Sequence, residues 1–169
     1  QIEKIIFMPV NSQYQKVDLI ENKHRYEMLK LVCNQNQKFE VSTIEMDYPR
    51  QLYTIETLPK LQKQYEKHEI CFTMGSDNLK ELETWSQAEK LIKNFKIYVF
   101  ERDKDDTEEI IETNKFLKEN RQAFIIVKNI IKSSLSSTLV REKIKEGKSI
   151  RYLTSDEIVS YIKQNNLYQ

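Results

Sequence analysis

Five short apolar runs, rich in β-branched and aromatic residues and separated by stretches of helical periodicity, constrain what this chain can fold into more than any other feature. The runs fall at residues 2–8, 39–44, 69–74, 96–100 and 123–127. Helical patterns occupy residues 21–32, 54–65, 86–93 and 107–119, with two more at 138–146 and 155–164. Strands alternating with amphipathic helices predict an α/β fold: a Rossmann-like, doubly wound, mostly parallel sheet with helices on both faces and further helices at the C-terminus. With 169 residues the chain needs only one domain, and it can bury a core without disulfides or metals. The expectation is a single domain over residues 1–169, with 134–169 as its C-terminal helical segment. Pro59 costs the 54–65 helix a hydrogen bond unless that helix begins at Thr57. Thr154-Ser155-Asp156-Glu157 reads as a capping box opening the last helix.

Charge narrows the partners. With 27 Lys+Arg against 26 Asp+Glu the net charge is +1, which supplies no field to draw the chain onto nucleic acid or anionic lipid. The apolar stretches at 5–10 and 124–127 are far too short to cross a bilayer, so the reading is a cytoplasmic protein acting on a small ligand. Cys33 and Cys71, each among apolar neighbours, read as reduced, buried thiols. The only histidines, His24 and His68, lack partners at zinc-ligand spacing.

Four segments concentrate chemistry. In Leu135-Ser136-Ser137-Thr138-Leu139-Val140-Arg141 a hydroxyl-rich helix start precedes an arginine one turn in. Unpaired amides at a helix N-terminus, the positive end of its dipole and a planar guanidinium together suit an oligophosphate. The plain alternative has Ser137 or Thr138 capping the helix and Arg141 in solvent. In Met74-Gly75-Ser76-Asp77-Asn78-Leu79, leading to the only tryptophan, Trp85, a strand ends in a glycine that permits close ligand approach. The Asp77 carboxylate suits two vicinal ribose hydroxyls, and the Trp85 indole offers a face for a heteroaromatic ring. Their plain alternatives are a helix N-cap for Asp77 and core packing for Trp85. Tyr53-Thr54-Ile55-Glu56-Thr57 sets bare amides before a helix, for a small carboxylate or amide or simply as a cap. Pro9-Val10-Asn11-Ser12-Gln13-Tyr14-Gln15-Lys16 is a polar loop after the first strand, with His24-Arg25 in the helix behind it; alone it reads as a solvated loop and a surface pair. Asp103 to Asp106, with Glu108 and Glu109, reads as a solvated acidic loop entering a helix.

Together these residues resemble the nicotinate-nucleotide adenylyltransferases over residues 2–168. Leu135 to Arg141 is similar to the family's [IL]-S-S-T-x-[IV]-R signature, and Tyr53-Thr54 with Thr57 to its Y-T-x-x-T. Gly75-Ser76-Asp77 with Leu82 and Trp85 is similar to its G-[AS]-D-x(4)-L-x-x-W. Gly147 to Leu153, with Ile158, Tyr161 and Leu167-Tyr168, resembles its closing segment.

The resemblance implies a nucleotidyltransferase-type sheet and adenylyl transfer. The phosphate of nicotinate mononucleotide attacks the α-phosphorus of ATP in line, and pyrophosphate leaves with Mg2+, with no ligands to the metal from protein side chains. It implies that Ser136, Ser137, Thr138 and Arg141 hold the ATP phosphates and that Gly75 and Asp77 contact the adenosine ribose. Trp85 would stack on the pyridine ring, main chain near Tyr53 and Thr54 receive its carboxylate, and Tyr14 and Lys16 face the mononucleotide phosphate. It also implies about 30 residues of strand and crossover helix ahead of Gln1, with a glycine-rich loop carrying two histidines. Two other readings stay open: a phosphopantetheine-type adenylyltransferase, and a nucleotide-binding module without turnover. A homo-oligomer and the choice between nicotinate and nicotinamide mononucleotide are open as well.

Overall fold

The computed structural model describes residues 2–12, 19–102, 105–128 and 135–169. They fall into two compact units, one built from residues 1–52 and 135–169, the other from 53–134.

In the first unit β1 (Ile5–Phe7) pairs in parallel with β2 (Phe39–Val41), joined by α1 (Asn22–Cys33). The strand expected over 39–44 stops at Val41. Beyond it the backbone turns, with Asp47 N–H donating to Thr43 O at 3.0 Å and the Thr43 hydroxyl to the Asp47 carboxylate at 2.8 Å. Two C-terminal helices, α7 (Ser137–Lys145) and α8 (Asp156–Gln164), belong to the same unit. Its core joins Ile150, Ile158, Ile162 and Leu167 to Met28, Leu31 and Val32 of α1 and to Val140 and Ile144 of α7. The periodicity explains this, since 158 and 162 stand four apart on one face of α8, as do 140 and 144 on α7.

In the second unit β3 (Cys71–Gly75), β4 (Lys96–Phe100) and β5 (Phe124–Val127) form a parallel sheet with β4 in the middle. Ile97 and Val99 of β4 are completely buried. A middle strand of a parallel sheet faces packed layers, which is why this segment reads as an apolar run. Among the described residues four α-helices separate the strands: α3 (Ser76–Glu81) and α4 (Ala88–Asn94) between β3 and β4, and α5 (Thr107–Thr113) and α6 (Lys115–Glu119) between β4 and β5. α2 (Thr54–Gln64) precedes them. All the described strand pairings are parallel, as expected, but they form a two-stranded and a three-stranded sheet, and no described strand joins them.

One helix expectation holds against its alternative start at Thr57, and two need correction. α2 starts at Thr54 and runs through Pro59. The proline leaves the Ile55 carbonyl without its helical donor, at about 3 kcal/mol. Burial of Ile55, Leu58 and Leu61 on one face outweighs this, at about 1.5–3 kcal/mol each. The 107–119 helix is two helices, because Asn114 is extended (φ −99°, ψ 117°) and its side chain accepts from Leu117 N–H at 3.0 Å, capping α6. The capping box at 154–157 does not form. The N-cap of α8 is Ser155, which makes no cap bond, and Ile158 occupies the third helical position where a box needs Glu or Gln. Glu157 is instead held below the usual carboxylate range by its own backbone amide and then by Gln35.

Cys33 is buried as expected, but Cys71 is only partly so, and burial pushes both thiols up. Among the described residues no helix is long and apolar enough to cross a membrane.

α7 ends in a Schellman motif. Lys148 N–H donates to Lys143 O at 2.8 Å and Gly147 N–H to Ile144 O at 2.9 Å, with Gly147 at φ +66°. A Cβ at Gly147 would meet nothing within 4 Å, so Gly147→Ala tests backbone conformation alone. Its expected cost is about 1 kcal/mol in urea unfolding with an unchanged m-value, and Gly147→Asn should recover part of it.

Candidate functional site

A connected polar arrangement gathers at the carboxyl end of β3 in the second unit. Gly75 is the N-cap of α3, Ser76 its first residue and Asp77 its second, so Asp77 is not the N-cap. The Ser76 hydroxyl is completely buried: it accepts from Arg102 N–H at 2.9 Å and donates to Asp105 Oδ2 at 2.8 Å. Lys80 Nζ reaches Asp105 Oδ1 at 2.6 Å. The Arg102 guanidinium donates to Asp77 Oδ2 at 2.9 Å, with both side chains half exposed.

Gly75 has φ −81°, a conformation open to any residue, so its glycine character comes from space. A Cβ there would overlap Asp77 Oδ1 and sit 2.7 Å from Arg102 Cδ. The close approach that the sequence suggested for a ligand is occupied by this ion pair. Asp105 is equally not part of a solvated acidic loop, being tied down by Ser76 and Lys80. Asp106 caps α5 by accepting from the amides of Glu108 and Glu109 at 3.0 and 3.2 Å.

Ten residues past Gly75, Trp85 is neither core nor surface. It is half-buried and meets Phe72 edge to face, with ring centroids 6.1 Å apart. Core packing therefore takes only part of the indole. At the start of α2, Tyr53 is exposed, and its N–H donates to the Glu56 carboxylate at 2.9 Å. Thr54 is half-buried, whereas Thr57 is completely buried with its hydroxyl donating to Tyr53 O at 3.3 Å. Thr57 thus seats the helix.

In the first unit, the cap of α7 is Ser136, not Ser137 or Thr138: its Oγ accepts from Leu139 N–H at 3.2 Å. Ser137 and Thr138 are exposed in the first turn. Arg141 does not simply lie in solvent. It is half-buried, donates to the Thr138 hydroxyl at 3.1 Å, and its charge acts on the phenol of Tyr168. Burial raises the Tyr168 pKa, and Arg141 and Arg25 pull it back down.

The polar loop after β1 is only partly solvated. Pro9 and Asn11 are buried, and the Asn11 amide donates to the carbonyls of Met46 and Tyr48 at 3.3 and 2.5 Å. His24 and Arg25 are not a surface pair either. His24 Nδ1 lies 3.0 Å from the Tyr161 hydroxyl, and Arg25 Nε donates to Ile20 O at 3.0 Å. Tyr14, Lys16 and Asp103 lie outside the described residues.

Sequence reasoning missed Arg102, Asp105 and the anchoring role of Asn11. Arg102 had a signal, as the second residue past a buried strand at the sheet edge where ligands bind in open α/β folds. Among the described residues no group of three or more His, Cys, Asp or Glu is arranged to hold a metal ion.

A family model described as Cytidylyltransferase-like matches residues 1–143. The probable nicotinate-nucleotide adenylyltransferase of Lachnoclostridium phytofermentans is 34% identical over 169 residues, covering 99% of this chain and 84% of the relative. That of Flavobacterium johnsoniae is 34% identical over 165 residues, covering 98% and 82%. Among solved structures, the nicotinic acid mononucleotide adenylyltransferase of Plasmodium falciparum complexed with NaAD aligns at a TM-score of 0.77 and 20% identity, over 98% of this chain and 82% of that one. At that identity the match establishes the fold, a parallel α/β nucleotidyltransferase type.

Because Ser136 caps α7, Ser136→Ala should cost about 1 kcal/mol of unfolding free energy and Ser136→Gly only a few tenths. Equal losses in the two variants, measured by urea titration, would argue against a capping role.

Proposed function

The chain belongs to the nicotinate-nucleotide adenylyltransferase family, and from that premise we propose that it transfers the adenylyl group of ATP to nicotinate mononucleotide, giving deamido-NAD and pyrophosphate in the cytoplasm. The observation that carries this reading is 34% identity to such an enzyme sustained over 99% of the chain.

Phosphoryl chemistry of this kind asks a protein for alignment and for cationic groups around charge that grows on the departing oxygens. α7 suits that task. Ser137 and Thr138 are exposed in its first turn, and Arg141 stands one turn in with its guanidinium beside the Thr138 hydroxyl. We assign Ser136, Ser137, Thr138 and Arg141 to the ATP phosphates, with Ser136 contributing mainly through the helix start it caps. We assign Asp77 to the adenosine ribose, where a half-exposed carboxylate can accept from two hydroxyls, with Gly75 contributing the space in which that carboxylate sits. The part of the Trp85 indole not covered by Phe72 takes the pyridine ring, and main chain near Tyr53 and Thr54 its carboxylate. Tyr14 and Lys16 face the mononucleotide phosphate.

No side-chain nucleophile is required, because the mononucleotide phosphate is the attacking group. Mg2+ fits as a companion of ATP, since this hard cation keeps waters and takes substrate phosphate oxygens. It supplies charge neutralisation on the leaving pyrophosphate.

Pyrophosphate release should require both ATP and nicotinate mononucleotide. Release with pantetheine phosphate alone, or binding of both nucleotides in calorimetry without release, would overturn the assignment. Arg141→Ala should lower kcat by about tenfold to a thousandfold while leaving the melting temperature nearly unchanged. Trp85→Ala should raise the KM for the mononucleotide with a modest loss of stability; near-complete unfolding by circular dichroism would make the indole a core residue instead.

A further inference from the structure

We propose that Arg102 is a positioning residue for Asp77, and that Gly75 is glycine to make room for this pair. The inference rests on the assignment of Asp77 to the adenosine ribose.

Three observations converge on it. First, Arg102 is held at two points: its N–H donates to the buried Ser76 hydroxyl at 2.9 Å, and its guanidinium donates to Asp77 Oδ2 at 2.9 Å. Ser76 is itself fixed by Asp105, which Lys80 neutralises, so the main chain beneath Arg102 is anchored by a buried hydroxyl. Second, the Arg102 stem crosses directly over Gly75, where a Cβ would lie 2.7 Å from Cδ and 3.3 Å from Cγ. The same Cβ would overlap Asp77 Oδ1, so one side chain at position 75 would displace both partners. Third, the pair engages Oδ2 of Asp77, and among the described residues no hydrogen bond is made to Oδ1.

A carboxylate without a partner samples several rotamers, and a ligand must then select one. A guanidinium on one oxygen holds the carboxylate plane and leaves the other oxygen to accept from a hydroxyl. With both side chains half exposed, the pair adds little to folding, so its effect belongs in ligand affinity.

Arg102→Met keeps the stem over Gly75 and removes the charge. It should raise the KM for ATP about threefold to fivefold, the range an exposed ion pair can supply, with kcat and melting temperature unchanged. Arg102→Lys should restore most of the affinity. Gly75→Ala should raise the same KM, and its effect should not add to that of Arg102→Met, because both break one pair.

Unaltered ATP affinity in Arg102→Met, with weakened affinity in Asp77→Ala, would overturn the inference and leave the ribose assignment standing. Unaltered ATP affinity in Asp77→Ala would remove the assignment itself, and the inference with it. A KM that rises only in step with a falling melting temperature, without rescue by Arg102→Lys, would make Arg102 a purely structural residue and also overturn the proposal.

Discussion

The parallel register of β3 against β4 is the constraint on which the proposed site at position 77 depends. Gly75 stands opposite Phe100, so both strands end at the same level and the chain leaves both at one edge. Two residues beyond Gly75 is Asp77, and two residues beyond Phe100 is Arg102; their ion pair follows from equal offsets on paired strands. A slip of one residue in that pairing would exchange the faces of the strand, moving Ile97 and Val99 from the fully buried face to the partly buried one and parting the two charges. The burial of those two side chains therefore secures a polar contact made several residues away.

The fold was legible because its largest signals are local. A run such as residues 96–100 announces a strand through β-branched and aromatic residues, and the spacing of Ile158 and Ile162 announces a helix face. The misreadings concern residues able to serve two structures. Asn114 suits a helix interior poorly and a cap well, and only the position of Leu117 N–H decides between them. Pro59, by contrast, opposes its helix locally, yet the helix expected from Thr54 forms because burial of Leu58 and Leu61, a tertiary effect, prevails. At residues 154–157 the capping pattern was present one position out of phase with the helix that formed.

The segments that carry the proposed site stood out in the sequence, but the duties of their residues did not. Thr57 belongs to a signature, yet its buried hydroxyl bonds the backbone at the start of α2. Ser136 likewise caps α7. Such residues serve a site by fixing the element that carries it, and spacing along a chain cannot separate that duty from direct contact. Arg102 went unread for the opposite reason: it matches no motif, and its meaning comes from Asp77, 25 residues earlier and just past the end of the neighbouring strand.

Placing a weak ion pair at the edge proposed for the ligand has a physical logic. A buried pair would fix the carboxylate more firmly, but desolvation costs several kcal/mol per ion and its breaking would threaten the fold. A half-exposed pair is worth about 1 kcal/mol or less. That is enough to bias the rotamer of one side chain, and small enough that the carboxylate can adjust as a hydroxyl arrives. The demand for rigidity is met underneath, by the buried Ser76 hydroxyl and by the strand register, so the groups proposed to meet the ligand need not also hold the protein together.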